Sequence, residues 1–307
     1  MPCFFPLQAT FSIREDGKKN IKFSHSNFKL FQKGISPLGD NNISLPCGRC
    51  MGCRLEKSRQ WAVRCLHESK CFEDNCFVTL TYAPDFLPEG GTLVRKHVQD
   101  FLKRLRDRFS DQKIRVFYCG EYGENFSRPH YHLCLFNCTF KDGVRWFSNN
   151  GNWIYRSKLL EELWPFGNSS FSDFTFETAA YVARYCTKKI SGSLADEHYA
   201  GRLPEFCGMS LKPGIGSSWF DKYGESDLFP HDNVIVRGAR CKPPRYYDKL
   251  RDRVDPDGLA KAKQVRQELA DECADDNTFS RLRTRLKCMQ SRTRLLVRKL
   301  ESENYKL

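Results

Sequence analysis

Two pairs of side chains in this sequence have the residue types and the spacing for chemistry on a phosphodiester. His130 and His132 stand one residue apart in an apolar run, and Tyr181 and Tyr185 stand four residues apart in a segment with helical patterning. Neighbouring imidazoles can bind one divalent cation, and a phenol can act as a nucleophile. Together the pairs predict the cutting and rejoining of one DNA strand through a phosphotyrosine.

The two histidines are expected on one face of a strand. Residues 128–136 read as a strand, in which alternate side chains point to the same side, so that His130, His132, Cys134 and Phe136 share a face. Such a pair can hold a cation and leave positions open for phosphate oxygens. The alternative is a structural pair that hydrogen-bonds within a half-buried sheet.

A carboxylate close to the histidines would strengthen the metal-site hypothesis. Glu121 and Glu124 lie in the predicted turn just before the strand, and Glu121 is the better placed because it follows the strand over 114–119. An oxygen ligand favours Mg²⁺ or Mn²⁺ over a structural Zn²⁺. We therefore predict a catalytic site for Mg²⁺ or Mn²⁺ at Glu121, His130 and His132.

The two tyrosines are expected on one face of a helix over about 177–189. Four residues advance about 400°, so the phenols lie one turn apart. Arg184 follows Tyr181 by three residues, and Lys188 follows Tyr185 by three. A cation at that spacing can orient a phosphate or stabilise a phenolate. The alternative is an aromatic stripe that packs on a sheet.

Three cysteines in a tight turn indicate a second metal site. Cys47, Cys50 and Cys53 are separated by two residues each. Lys57 stands where an iron–sulfur run would continue, so structural Zn²⁺ is the better interpretation. The predicted fourth ligand is Cys3, with Cys65, His67 or Cys71 as alternatives. Free reduced cysteines remain the competing interpretation.

The composition points to a nucleic-acid partner in a reducing compartment. The 307 residues carry a net charge of +13 with a pI near 9.1, which suits a polyanion, although a solvated basic surface has the same signature. The 15 cysteines follow no recognisable signal peptide, and no apolar run approaches the ~20 residues of a membrane span. We expect a cytoplasmic protein with no membrane partner.

The order of elements predicts an α+β fold with an antiparallel sheet and helices on one face. Strands are expected over 76–82, 114–119, 128–136 and 171–176, and helices over 55–70, 94–109 and 177–189. The predicted divisions are a Cys-rich, zinc-binding segment (1–69), a nuclease core (70–190), a loop-rich extension (191–255) and a basic helical tail (256–307).

Basic side chains near these elements are candidates for DNA contact. The helix after the cysteine turn carries three of them, and two more flank the histidine strand and the tyrosine helix. The candidate DNA-binding residues are Arg54, Lys57, Arg59, Arg128 and Lys189. The tail can contact DNA, or pack on the core as an amphipathic helix.

Three segments, in order, resemble the motifs of HUH endonucleases. They are the strand over 77–82, the His-hydrophobic-His strand and the Tyr-x-Ala-Arg-Tyr-x-x-Lys helix. The chain is most similar to the two-tyrosine rolling-circle replication initiators of gokushoviruses, small single-stranded DNA phages of the microvirus group. The resemblance covers most of 1–250, including 1–8, 46–54, 213–216 and 243–247.

This resemblance implies a ferredoxin- or RRM-like core and a defined reaction. One tyrosine attacks origin DNA, forming a 5′-phosphotyrosine and freeing a 3′-OH, while the metal at His130 and His132 polarises the phosphate. The second tyrosine later releases and circularises the displaced strand. Tyr185 with Lys188 matches the family's Tyr-x-x-Lys form. The implied setting is a bacterial host's cytoplasm, with host helicase and DNA polymerase as partners.

Two other functions fit parts of the pattern. A zinc-containing, non-enzymatic nucleic-acid-binding protein would use the tyrosines to stack on bases. A transposase or relaxase would use the same HUH chemistry in another setting. No Gly-x-x-x-x-Gly-Lys-Ser/Thr motif is present, so ATP hydrolysis is not expected.

Overall fold

Twelve strands and nine helices are described in the computed structural model, which covers residues 3–16, 19–23, 42–123, 126–149, 151–188 and 194–304. The strands are β1 (Leu7–Ile13), β2 (Lys19–Phe23), β3 (Asn42–Leu45), β4 (Asn75–Thr81), β5 (Arg115–Tyr122), β6 (Pro129–Phe136), β7 (Val144–Asn149), β8 (Asn152–Arg156), β9 (Ser169–Asp173), β10 (Phe206–Met209), β11 (Val234–Val236) and β12 (Ala239–Cys241). The helices are α1 (Met51–Ser69), α2 (Arg95–Arg108), α3 (Lys158–Leu163), α4 (Phe176–Lys188), α5 (Leu194–Tyr199), α6 (Ser217–Tyr223), α7 (Arg245–Val254), α8 (Pro256–Glu272) and α9 (Phe279–Asn304).

The largest sheet has seven strands in the order β10-β5-β6-β4-β9-β8-β7. Every neighbouring pair in it is antiparallel. β4 is the central strand and β6 lies beside it. β6 is buried along almost its whole length, on both faces, whereas the burial of β4 alternates between fully and partly buried residues. The histidine-bearing strand is therefore an inner, buried strand of the sheet.

One face of this sheet packs against α2 and α3. Alternate side chains of β4 and β6 point to this face, among them Leu80 and Leu133. Helix α2 meets them with buried residues at the spacing i, i+3, i+4 and i+7, which places all four on one side of a helix. These residues are Val98, Phe101, Leu102 and Leu105.

The opposite face packs against α1 and α4. Cys134 and Phe136 of β6 point to this side, where Ala62 of α1 and Val182 of α4 cover them. Helix α4 begins after Thr175, whose hydroxyl accepts the Thr178 N–H at 3.2 Å and so caps the first turn. Small residues of α4 allow it to approach the sheet closely.

The predicted α+β class and antiparallel sheet are confirmed, and helices cover both faces where the sequence predicted one. The strands and helices expected over 76–190 are present with shifts of a few residues at their ends. The sequence did not predict the β7–β8 hairpin, the edge strand β10 or the small sheet of β1, β2 and β3.

The chain divides into two compact units. One comprises residues 1–56 and 260–307, with the sheet of β1–β3 and helix α9. The other comprises residues 57–259, with the seven-stranded sheet and a further cluster in which Trp219 and Tyr247 stack on His67. The four divisions predicted from the sequence stay a prediction. None of the described helices is long and apolar enough to span a membrane.

A buried ion pair joins α1 to the beginning of β5. The Arg115 guanidinium, 3% exposed, donates to the Glu68 carboxylate, which is fully buried. Arg115 also donates to the Pro213 carbonyl at 2.8 Å, and Glu68 accepts the Gly216 N–H at 2.5 Å. This network therefore fixes the loop over 213–216 against the sheet.

Removing one charge of this pair leaves the other buried without a counter-charge. We predict that Glu68→Gln lowers the free energy of unfolding by about 3–5 kcal/mol, measured by chemical denaturation. Arg237→Ala, which breaks an exposed pair with Glu177, is the control and should change stability little. Equal stability of the two variants would contradict the assigned role of the network.

Candidate active site and thiol cluster

The register of two strands brings together the predicted metal ligands. In the β5–β6 pair, Glu121 lies opposite His130, and Cys119 lies opposite His132. Residues two apart on a strand share a face, so Glu121, His130 and His132 all point to the side covered by α4. The sequence hypothesis that placed the three together is matched by this geometry.

The three side chains converge on a small volume. His130 Nε2 lies 2.7 Å from Glu121 Oε1, and His132 Nε2 lies 2.9 Å from the same oxygen. Glu121 is only 2% exposed, and the potential ligand atoms lie within 4.8 Å of one another. This arrangement offers two nitrogens and one carboxylate to a single ion.

The second nitrogen of each ring is also engaged. His130 Nδ1 lies 3.0 Å from the Arg128 carbonyl oxygen, and His132 Nδ1 lies 3.0 Å from Thr79 Oγ1. A carbonyl only accepts, so Nδ1 of His130 carries the proton, and in a neutral ring Nε2 then has a free lone pair. Metal-binding histidines are typically held by such contacts.

Two features of this cluster fit a divalent cation. Without an ion, the 2.7 Å contact requires a proton on His130 Nε2, which then donates to Glu121. When only Nδ1 of the ring is protonated, Nε2 offers a lone pair instead, and a divalent cation can bind this lone pair together with the carboxylate. Glu121 Oε2 is buried and has no hydrogen-bond partner among the described residues. A buried oxygen without a partner is costly unless a cation or a water binds it.

The charge state of Glu121 suits the same interpretation. Burial raises the pKa of its carboxyl, but hydrogen bonds and charge interactions with His130 and His132 outweigh burial and hold the pKa below its ordinary value. The group is therefore an anion near neutral pH. An anionic oxygen beside two imidazoles is a good donor set for Mg²⁺ or Mn²⁺.

One of the two predicted nucleophiles reaches this cluster. The Tyr181 hydroxyl on α4 donates to Glu121 Oε1 at 3.4 Å. Its ring stands edge-on to His132, with ring centroids 5.1 Å apart, and edge-on to Phe77 at 6.3 Å. These contacts orient the phenol toward the candidate metal ligands.

The other residues predicted around the tyrosines belong to the same helix. Tyr185 lies one turn after Tyr181 in α4, and Arg184 and Lys188 also lie in this helix. The structure describes these last three positions by backbone only. Lys189 and Glu124 lie outside the described residues. The roles predicted for them stay predictions.

Two neighbours of the histidines were not predicted from the sequence. Thr79 pairs with His132 in the β4–β6 register and contacts its Nδ1 atom. Phe77 stacks on the His132 ring with centroids 5.4 Å apart and planes at 11°. The only indication of these neighbours in the sequence is the alternation of strand 77–82, which places Phe77 and Thr79 on one face.

Four thiols form a second cluster in the other compact unit. The sulfur atoms of Cys3, Cys47, Cys50 and Cys53 all lie within 4.8 Å of one another. Cys47 and Cys53 are 4.0 Å apart at sulfur, and Cys50 and Cys3 are 3.9 Å apart. Tetrahedral Zn²⁺ with bonds of about 2.3 Å would set such distances near 3.8 Å.

The backbone around the thiols supports anionic sulfur. Gly48 adopts a φ of +73°, which lets the chain turn sharply between Cys47 and Cys50. The Cys50 sulfur accepts the Phe4 N–H at 3.4 Å, and the Cys47 sulfur accepts the Cys50 N–H at 3.3 Å. Burial raises the pKa of Cys50, but backbone and thiol hydrogen bonds lower it to about 7. Burial raises the pKa of Cys3 and of Cys53, so these two thiols need a bound cation to become thiolates. A thiolate is the form that binds metal.

Cys3, the first choice for the fourth ligand, is the residue that joins this cluster. The alternatives have other surroundings: Cys65 is buried in the core beneath α4, His67 contacts the Tyr247 hydroxyl at 2.9 Å, and Cys71 donates to the His67 carbonyl. The four cysteines therefore suffice for a closed tetrahedral site.

The predicted DNA-binding residues lie in varied environments. Arg54 and Lys57 lie on α1, where Lys57 is exposed. Arg59 donates to the Lys242 carbonyl at 2.7 Å, and Arg128 donates to the Tyr82 carbonyl at the same distance. These contacts orient two guanidinium groups, while contact with DNA stays a prediction.

Comparison with known proteins places the chain in a family. A family model described as "Replication-associated protein ORF2/G2P" matches residues 75–190, the segment that holds Glu121, both histidines and both tyrosines. Replication-associated protein VP4 of Bdellovibrio phage phiMH2K is 30% identical over 283 residues, which is 88% of this chain and 85% of the relative. Replication-associated protein ORF2 of Spiroplasma virus 4 is 33% identical over 266 residues, 82% of this chain and 81% of the relative.

A third relative, replication-associated protein ORF4 of Chlamydia phage 1, is 31% identical over 226 residues, 70% of this chain and 56% of the relative. No solved structure matches significantly. The chain belongs to the family of phage replication-associated proteins. The predicted kinship with gokushovirus replication initiators is thereby confirmed.

The histidine–glutamate cluster generates a binding prediction that needs no activity. Glu121→Gln keeps the side-chain shape but removes the anionic oxygen, so Mn²⁺ affinity should fall at least about tenfold. Titration followed by the electron paramagnetic resonance of free Mn²⁺ measures this. Glu177→Gln, at an exposed glutamate of α4, is the control and should bind as wild type does. Unchanged affinity in the Glu121 variant would exclude this carboxylate as a ligand.

Proposed function

We propose that this protein initiates rolling-circle replication by nicking single-stranded origin DNA through a 5′-phosphotyrosine and later rejoining the displaced strand. The observation that carries the proposal is the contact of Tyr181 with Glu121, the residue on which His130 and His132 converge. A phenol, an anionic oxygen and two imidazoles thus meet on one sheet face. Family membership among replication-associated proteins favours this role over that of a transposase or relaxase.

The reaction is an exchange of phosphate esters. The tyrosine oxygen attacks the scissile phosphorus, a Tyr–O–P bond forms, and the bond from phosphorus to the 3′ oxygen breaks. The phenol loses its proton, and the departing 3′ oxygen gains one. Because the energy of the phosphodiester is retained in the phosphotyrosine, a 3′-OH can reverse the reaction and join two ends without ATP.

The protein's own residues orient the nucleophile. Glu121 Oε1 accepts the Tyr181 hydroxyl, and the rings of His132 and Phe77 hold the phenol edge-on. Glu121, His130 and His132 would hold Mg²⁺ or Mn²⁺, which supplies polarisation of the phosphate when bound. Thr79 keeps the His132 ring in place through Nδ1.

Two nucleophiles are needed for a complete cycle. The first becomes occupied by the 5′ end of the strand, so a second must cut the regenerated origin before the displaced strand is released. Tyr185, one turn along α4, is the proposed second member of the pair. Arg184 and Lys188 are the proposed cations that stabilise the phenolates.

The thiol cluster has a structural role in this proposal. Cys3, Cys47, Cys50 and Cys53 form a closed set of four ligands, which leaves no position for a substrate and suits structural Zn²⁺. A Zn²⁺ ion bound by these four cysteines would join the first residues of the chain to the start of α1. The proposed DNA contacts on that helix are Arg54, Lys57 and Arg59, with Arg128 and Lys189 elsewhere.

Partners follow from the reaction. The free 3′-OH requires a polymerase and the displaced strand a helicase, and the proposed source of both is the bacterial host. The relatives are phage proteins, which supports the host cytoplasm as the proposed site of action.

Tyrosine substitution tests the chemistry. With single-stranded oligonucleotides tiled across the encoding phage genome and labelled at the 3′ end, wild type should retain label through denaturing electrophoresis, because the protein stays on the 5′ phosphate of the labelled fragment. The double variant Tyr181→Phe, Tyr185→Phe should lose at least about a thousandfold in the rate of adduct formation. Tyr223→Phe, at a half-buried tyrosine of α6, is the control. Adduct formation by the double variant at the wild-type rate would disprove the proposal.

Metal analysis tests the thiol cluster. Purified protein should contain about one zinc per chain, and Cys3→Ser should lower the zinc affinity and shift the charge-transfer spectrum of the Co²⁺-substituted protein. Cys273→Ser, at an exposed cysteine, should alter neither. A wild-type protein that holds no zinc after purification in chelator-free buffer would refute this part of the proposal.

A further inference from the structure

The β7–β8 hairpin exposes large aromatic side chains at the edge of the seven-stranded sheet. Trp146 is 57% exposed, Phe147 45% and Trp153 41%. Residues 144–156, which span the hairpin, include Arg145 and Arg156 but no acidic residue. Three exposed aromatic rings in so short a segment form a surface that the packing of the core does not explain.

Each tryptophan of the hairpin carries an arginine. The Arg156 guanidinium lies 5.3 Å from the Trp146 ring centroid, and that of Arg145 lies 4.9 Å from the Trp153 centroid. Arg156 also pairs with Glu161 at 2.6 Å, which holds it in place while its side chain stays 42% exposed. Aromatic faces beside cations are the surfaces on which single-stranded nucleic acids stack.

The strand register shows which of these rings faces the candidate active site. Thr79 lies opposite His132, so its neighbour two residues away, Phe77, points to the same face. From Phe77 the pairing runs through Ser172 and Ile154 to Phe147. Phe147 therefore lies on the face that carries His132.

The same register separates the two arginine–tryptophan pairs. Arg156 is two residues from Ile154 on β8 and therefore points to the same face. The bulge between Arg145 and Phe147 places the Trp146 ring beside the Arg156 guanidinium. Trp153 is adjacent to Ile154 and points to the opposite face, with Arg145. The Arg156–Trp146 pair thus lies on the face of the candidate active site, and the Arg145–Trp153 pair lies on the opposite face of the sheet.

The distance across the sheet suits an extended strand of DNA. From β6 to β7 there are four strand spacings of about 4.8 Å, or roughly 19 Å. Between them on this face lie the short side chains of Thr79, Ser170 and Ser172, together with the apolar side chains of Phe77 and Ile154. Helix α4 packs over β5, β6 and β10, the other half of the sheet.

We propose that Trp146, Phe147 and Arg156 form a binding subsite for the single-stranded DNA that leads to Tyr181. Bases stack on the two aromatic rings, and Arg156 meets a phosphate. Single-stranded DNA is the favoured occupant because the hairpin is basic, the rings are exposed, and the surface continues to the candidate nucleophile. The claim that the bound DNA leads to Tyr181 rests on the proposed function.

Binding to a fluorescein-labelled (dT)20 oligonucleotide, measured by anisotropy in chelator-free buffer without Mg²⁺ or Mn²⁺, tests the subsite without any cleavage. Trp146→Ala should weaken binding by about 5- to 150-fold, the range for loss of one stacked base. Trp153→Ala is the matched control: it removes the same residue type, also paired with arginine, from the other face, and should stay within about twofold. Trp146→Phe should restore most of the affinity, because it keeps a ring.

The outcomes separate the subsite from the catalytic proposal. Weaker binding in Trp146→Ala alone supports the subsite even when no phosphotyrosine is ever detected. Equal effects of the two alanine substitutions, or no effect of either, overturn it. Unchanged DNA binding in Trp146→Ala, with a change of oligomeric mass by light scattering, also overturns it and assigns the surface to contact between copies of the chain.

Discussion

The pairing of β5 with β6 is the constraint on which the candidate active site depends. Glu121 faces the two histidines only in the register that sets it opposite His130. A slip of one residue would turn the glutamate to the opposite face of the sheet. That slip is opposed on both sides, since Leu133 and Leu135 fill one core and Cys134 and Phe136 fill the other. The core packing of β6 thus sets the geometry of the chemistry.

The buried cluster of Glu121, His130 and His132 costs free energy of folding, so stability alone does not explain its presence. Burying a carboxylate beside two imidazoles, with one oxygen lacking a partner among the described residues, is unfavourable in an apolar setting. Apolar residues at these positions would pack well between the sheet and α4. Buried polar residues at positions where apolar residues would be more stable are typical of functional sites, where a bound ion supplies the missing interactions. The buried cluster is therefore better explained by binding than by folding.

The sequence predicted what depends on local periodicity. The shared face of His130 and His132 and the nearby carboxylate of Glu121 followed from residue types and short spacings. Cys3 is far from the cysteine turn in sequence, and residue type alone made it the first choice among four candidates for the fourth ligand. The sequence did not predict Thr79 as the partner of His132, because that contact depends on pairing between strands some fifty residues apart. The edge strand β10 and the β7–β8 hairpin were missed for a related reason: the four residues of β10 and the bulged strand β7 carry weak alternation of their own.

One candidate catalytic metal site and two tyrosines on one helix impose a geometric requirement on the proposed cycle. Residues four apart rise about 6 Å along an α-helix, so both phenols cannot occupy the position 3.4 Å from Glu121 at the same time. Alternation of the nucleophiles therefore requires α4 or the bound strand to shift by about one turn between cleavages. The small residues with which α4 meets the sheet, Ala179 and Ala183, interlock less with it than large side chains would. That contact makes α4 the natural element to move in the proposed cycle, while β5 and β6 hold the candidate metal ligands fixed.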